Sequence, residues 1–364
     1  MARKILYVLA LGVAAGCSGS AADSPLNPFD PTPTDSATGG GTGDGAGDGT
    51  GDPTTPIDGG LELPPGTANP TPDNSITRYE ARDENGSGFA EAPVYNAAND
   101  TFSIDNLPFD SDDNIYTRDD QVGSLGPAGQ QGPFAVYEGP GTAFDPQTGK
   151  TIDQLTYKAL FQRSTSGLTE LVIVRTGDYR NYGFGGWAYQ RDGNVVLPSK
   201  LQATFSGPYA ALRDFQGRPG LEYATGDFQL DVDFEDLNGT LTQDAIKGKV
   251  TNRRIYATDG TDVTQDVINA LAADANRPFT ALPTMVLDVN GGKIDRNGEF
   301  TGTFESGYTD GSGKFVVYHT GTYQGILAGP DPSEAVGTIV TTSQDPRFED
   351  VTVRETGGFI ATRD

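Results

Sequence analysis

The chain has 364 residues and a formal net charge of −25, with 25 Lys and Arg against 50 Asp and Glu, and its single Cys, His and Trp stand beside 49 Gly and 24 Pro. One Cys excludes an internal disulfide and any Cys-rich zinc or iron–sulfur site. One His, His319, excludes a His-pair metal site and leaves room for one nucleophile–His arrangement at most. An acidic chain without a basic block is a poor nucleic-acid binder, because neutralising phosphates takes clustered Lys and Arg.

Arg3 and Lys4 precede the apolar run Ile5–Ala15, and small residues lead to Cys17. A basic start, a short apolar stretch and a small-residue boundary make a secretory signal over 1–16. The run is too short to span a bilayer. Ala14-Ala15-Gly16-Cys17 resembles the bacterial lipobox, with Ala14 where Leu is usual, and the only Cys of the chain sits at its boundary. That resemblance implies a lipid anchor on Cys17, and several acyl chains hold a protein to a membrane where one is marginal. Ser18 after the Cys favours the outer membrane in the lipoproteins this resembles.

Residues 17–75 read as the lipidated Cys and a tether. After Cys17 the segment holds no Lys or Arg and one aromatic, Phe29, and its Gly/Asp run over 39–52 is flanked by prolines. Such a composition buries too little apolar area to offset chain entropy. Asp44, Asp48 and Asp52 recur every four residues, but the Glu or bulky apolar position of calcium repeats is missing, so an acidic spacer is the reading. A flexible coil of this length reaches roughly 40–45 Å.

From residue 76 onward, period-2 alternation and turn residues predict β structure. A small handle-like sheet is expected over 76–150, with short strands at Ile76–Arg82, Pro93–Tyr95, Thr101–Ile104 and Phe134–Glu138 between Asp- and Gly-rich loops such as 110–114. Over 151–364 the predicted strands are Leu155–Arg163, Glu170–Arg175, Gly183–Gln190, Leu201–Tyr209, Asp227–Phe234, Ala245–Ile255, Met285–Val289, Glu299–Tyr308, Phe315–Thr322, Thr338–Thr342 and Gly358–Thr362. In Asp227–Phe234 the residues Phe228, Leu230, Val232 and Phe234 share one face and Asp227, Gln229, Asp231 and Asp233 the other, so one face is buried and one solvated. An Asn238-Gly239 pair marks a turn after it. Thr264–Ala275 alone has helical spacing, with Asn276 as its stop. The fold class is all-β: an antiparallel barrel of about eight strands, preceded by the handle-like sheet and the tether. Closure removes exposed strand edges.

The end of the chain, Gly321-Thr-Tyr-Gln-Gly325-Ile-Leu-Ala-Gly329-Pro330 with Glu334 and Gly337, then Gly357-Gly358-Phe359, resembles the closing hairpin of the lipoprotein barrels typified by transferrin-binding protein B. Asp227–Leu241 and Tyr182–Tyr189 are similar to further strands of that family. The resemblance covers roughly 150–364, with Leu327 where Phe is usual and Thr338 where a second Gly is usual, and one barrel stands where the full receptor has two lobes. It implies a non-enzymatic, lipid-anchored outer-membrane protein, at the cell surface or on the periplasmic face, without cofactor or metal. Such a protein binds a protein or solute through barrel loops, among them carriers of iron or haem. Its further partners would be an outer-membrane transporter or a surface-lipoprotein exporter.

Among candidate residues, the stretch Gly207–Gly220 reads as a binding loop, because Tyr209, Arg213, Phe215 and Arg218 are of the types that dominate interfaces. An ordinary connection with packed aromatics is the plainer reading of the same residues. His319, in an alternating strand, reads as structural. Trp187, among glycines and aromatics, reads as core. No carboxylate pair has a context that marks it as a glycosidase pair. Two other classes stay open: a lipocalin-like carrier with an apolar ligand inside the barrel, and an integral outer-membrane barrel, which would show an outward apolar band and an aromatic terminal strand. The folded part, with 23 basic and 41 acidic residues beyond residue 75, has a net charge of −18, so a protein partner would be basic or be met at a neutral loop.

Overall fold

A computed structural model describes residues 63–110, 115–237, 245–287 and 293–364. The signal segment, Cys17, most of the tether, residues 111–114 and the Asn238-Gly239 turn lie outside the described residues.

The first eleven strands are β1 (Ile76–Tyr79), β2 (Glu91–Asn96), β3 (Thr101–Asp105), β4 (Ile115–Arg118), β5 (Ser124–Gly126), β6 (Gly129–Glu138), β7 (Thr142–Asp145), β8 (Lys150–Asp153), β9 (Tyr157–Arg163), β10 (Thr169–Thr176) and β11 (Gly185–Arg191). Apart from the β7–β8 hairpin they make one antiparallel sheet in the order β1-β11-β10-β9-β6-β4-β3-β2, with β5 beside β6. The remaining strands are β12 (Gln202–Gln216), β13 (Leu221–Asp233), β14 (Ile246–Ala257), β15 (Met285–Leu287), β16 (Lys293–Ile294), β17 (Glu299–Thr309), β18 (Phe315–Ala328), β19 (Glu334–Gln344) and β20 (Thr352–Arg363), with helix α1 (Thr264–Asp274) between β14 and β15. Their order is β15-β14-β13-β12-β20-β19-β18-β17-β16. Since β15 and β16 follow each other in the chain and pair with opposite ends of this sheet, they act as one eighth wall segment and bring the barrel almost to closure.

The division between the sheets falls at 192–201, where the sequence reading put it at 150. Strands β9 to β11 join the first sheet because β9 pairs with β6, Ala135 opposite Phe161 and Val136 opposite Leu160, across the inserted β7–β8 hairpin. Alternation marks a strand without saying which sheet receives it. The ordered fold also begins before residue 76. Thr67 bonds Thr77, and the Val195 N–H donates to the Pro72 carbonyl at 2.7 Å, so residues 63–75 lie along the fold as a strap.

Three apolar layers result. One fills the barrel, where Phe205, Phe228, Leu230, Phe300 and Phe359 are buried and the Phe228 and Phe359 rings stack with centroids 3.6 Å apart. The glycine-rich terminal strands make room for these rings: Phe300 occupies the space a Cβ on Gly325 would need, and the Tyr209 hydroxyl that of Gly357. The second layer joins the sheets, with Leu160, Leu171, Ile173 and Trp187 against Leu212, Tyr223, Ile326 and Ile360 on the outer barrel wall. The third, around Phe102, Tyr116, Tyr137 and Tyr157, covers the far face of the first sheet. Trp187 stacks on Tyr189 at 5.5 Å and is core, as its context predicts. Helix α1 buries Val267, Ile268 and Leu271 against Ile255, and Asn276, at φ +48°, ends it in the left-handed region that Asn tolerates.

Candidate functional site

The barrel interior changes character along its axis. Past Tyr209 and Ala211, the inward face of β12 continues with Arg213, and facing strands supply Glu222, Arg253, His319 and Glu355, all buried. Two β-bulges flank this half. The one between β13 and β14, at Thr225/Asp227, leaves an extra residue on β14 with Asn252 at φ +52°, and β14 resumes with Arg253 aimed inward. The other, at Ser306/Gly307, lies opposite His319.

Glu355 is the hub. It receives Arg253 Nη2 at 2.9 and 2.7 Å, the Tyr209 hydroxyl at 2.9 Å, and lies 3.2 Å from Arg213 Nε. Arg213 also pairs with Glu222, which Arg347 meets at 2.8 Å while bonding Asp345 at 2.6 and 2.9 Å. Burial alone would raise the Glu355 carboxyl, but Arg253 and Arg213 hold it below the ordinary carboxylate range. Burial, then the same two guanidinium groups, pushes His319 well below its usual value, so it is neutral. Arg253 Nη1 is 3.1 Å from His319 Nε2, and a guanidinium only donates, which assigns the imidazole proton to Nδ1. That Nδ1 is buried without a partner. The network therefore locks strands together, and its carboxylates are saturated by cations.

Above this network the barrel mouth opens. A groove of about 550 Å³ runs between the end of α1 (Leu271), the β17–β18 hairpin (Tyr308, Val317) and the β19–β20 connection (Arg347, Phe348). Phe348 is 43% exposed and sits between cations, 4.3 Å from the Arg218 guanidinium and 5.4 Å from that of Arg347. Arg218 also covers the Phe215 ring at 4.5 Å. The 177–183 connection of the first sheet joins this rim, since Tyr182 N donates to Phe215 O and Gly217 N to Arg180 O.

The expected binding loop over 207–220 needs correcting. Strand β12 runs to Gln216, and the turn occupies only 217–220. Tyr209, Arg213 and Phe215 are buried inside the barrel or beneath the rim and offer a partner no surface; Arg218 alone of the four keeps some. What the sequence reading missed is Arg347-Phe348, a cation and an aromatic in a connection between two apolar strands. That pairing after Pro346 was the available signal.

No family model and no curated protein matches the chain. Among solved structures it is similar to a mutant of the vaccine antigen transferrin-binding protein B from Haemophilus parasuis, at 14% identity over 61% of this chain and 40% of that one, with a TM-score of 0.31. Isotype 1 transferrin-binding protein B from serogroup B Neisseria meningitidis is similar at 13% identity over 76% and 52%, with a TM-score of 0.29. The intact Ap-TbpB, with N and C lobes, is similar at 12% identity over 80% and 61%, with a TM-score of 0.33. The chain thus spans between 40% and 61% of the length of these three.

Proposed function

We propose that this chain is a lipid-anchored protein of the outer membrane, displayed at the cell surface, that binds a protein or solute partner at the barrel mouth and performs no catalysis. The observation that carries the reading is Phe348, exposed in a groove and held between Arg218 and Arg347 above an interior already filled by side chains. Aromatic and Arg groups of this kind anchor interfaces. The filled interior speaks against a lipocalin-like carrier. The outward residues Gln229, Asp231, Asp233, Lys247 and Lys249 speak against an integral barrel, whose wall would be apolar. The position of the lone Cys17 supports the anchor, and the acidic, Pro- and Gly-rich stretch after it supports a stand-off from the membrane. A carrier of iron or haem fits as partner, and an outer-membrane transporter or a surface-lipoprotein exporter as its machinery.

The test is metabolic labelling with an alkyne fatty acid, followed by protease shaving of intact cells. Wild type incorporates label and is shaved from the outside; Cys17→Ser carries no label and leaves the membrane fraction. An unlabelled wild type removes the anchor from the account, and an unshaved one moves the protein to the periplasmic face.

A further inference from the structure

Three neighbouring strands of the first sheet bring a lysine and two carboxylates together away from the barrel network. Glu138 ends β6, pairing with Lys158 of β9 on one side and with Thr117 of β4 on the other. Asp119 follows β4 directly and is fixed to β6 by its own N–H on the Val136 carbonyl at 3.0 Å. Lys158 reaches across β6, so that Nζ contacts Asp119 Oδ2 and lies 2.9 Å from Glu138 Oε2. The Asp119 side chain is 1% exposed and that of Lys158 10%, whereas Glu138 keeps 41% and borders a groove of about 670 Å³.

The other oxygen of Asp119 distinguishes this triad from an ordinary ion pair. Oδ1 accepts the backbone N–H groups of Gln121 and Val122, both at 2.8 Å. One carboxyl oxygen thus faces two fixed donors, and the other faces an amine that also reaches Glu138. Tyr223 of the barrel wall covers the site: its ring is buried, its hydroxyl has no hydrogen-bond partner, and burial followed by the charges of Asp119 and Glu138 raises it.

We propose that Lys158 and Asp119 form an intramolecular isopeptide bond, with Glu138 moving the protons. The Lys158 ammonium passes a proton by way of Glu138 to Asp119 Oδ2, and the freed amine attacks Cγ of the neutral acid. Negative charge gathers on Oδ1, where the Gln121 and Val122 N–H groups point, as donors fixed at a developing oxyanion stabilise acyl transfer. Oδ2, already protonated, takes its second proton from the nitrogen by way of Glu138 and leaves as water into the groove beside Glu138. One ammonium and one carboxylate become one amide and one water, and Glu138 ends as it began. No oxidant or cofactor enters. The bond would tie β4 to β9 across the β7–β8 insertion, in a chain whose single Cys offers no internal disulfide.

Trypsin digestion of the denatured full chain with tandem mass spectrometry decides the matter. The cross-linked protein yields a branched species, Asp119–Lys150 joined to Thr151–Arg163, lighter by one water and uncut after Lys158. Recovery of linear Asp119–Lys150 and Thr151–Lys158 from wild type overturns the proposal and leaves an ion triad. Asp119→Ala and Lys158→Arg abolish the branched species. Glu138→Gln forms it roughly a hundredfold more slowly after synthesis; formation at the wild-type rate removes Glu138 from the mechanism.

Discussion

The two ends of the barrel handle buried charge in opposite ways. At the mouth, Arg213, Arg253 and Arg347 face Glu222, Glu355 and Asp345, so each carboxylate has a guanidinium and each charge is matched. At the strap end, Arg78 pairs with Glu299 at 2.5 and 2.8 Å, but Arg191 spends its charge on carbonyls of Thr71, Asn74, Asn297 and Leu327. Asp295 there accepts the backbone N–H groups of Asn297 and Glu299 and the Asn297 amide. Burial and the neighbouring Glu299 charge raise Asp295 to about 7, while burial lowers Arg191 to about 10. A cation whose hydrogen bonds go to carbonyls holds a segment in place, while its attraction for Glu299 and Asp295 acts only through space.

The largest effect is expected from breaking the mouth hub. Glu355→Ala leaves Arg253 buried without its carboxylate and Arg213 with Glu222 alone, and costs about 3–5 kcal/mol in chemical denaturation. If the loss is under about 1 kcal/mol, the network is solvated and the filled interior is wrong. At the strap end, Arg191→Met removes a charged donor from four carbonyls and costs about 3 kcal/mol. Limited proteolysis then cuts within 63–75 well before the barrel.

pH separates the two ends further. Asp295 has a folded value above its unfolded one of about 3.9, so its penalty is absent at low pH and grows as pH rises toward about 7. Asp295→Asn therefore stabilises the chain at pH 8 and has little effect at pH 4. Glu355 is shifted the other way, so its contribution is present at neutral pH and is lost as pH falls below the ordinary Glu range. Denaturation midpoints of the two variants across pH must diverge; parallel curves contradict the contrast. The smallest effect on stability belongs to Arg218→Ala, within about 0.5 kcal/mol for a surface site, although binding of a partner at the mouth falls by about 2 kcal/mol.

How legible each end was follows from the same physics. Phe228, Leu230, Val232 and Phe234 announce the apolar half of the barrel because strict alternation separates them from the outward acids. Arg213, Arg253 and Glu355 sit on inward faces too, but polar residues on a strand read as solvated, and the bulges at Thr225/Asp227 and Ser306/Gly307 break the period near two members of the cluster. Tyr209, Arg213 and Phe215 carry interface chemistry in type and core chemistry in place; composition does not separate the two. The strap escaped for another reason. Its residues bury little apolar area of their own, and what holds them is backbone hydrogen bonding to Thr77, Tyr79, Val195 and Arg191, which no side-chain pattern encodes.

The central claim, that partners meet the mouth and not the wall, is tested most directly by in-cell photo-crosslinking. A benzoylphenylalanine replaces Phe348 at the mouth or Val286, which is 50% exposed on the barrel wall. A discrete adduct is expected from position 348, lost when Arg218→Ala is added, and none from position 286. Equal adducts from both positions, or an adduct from 286 alone, contradict that claim.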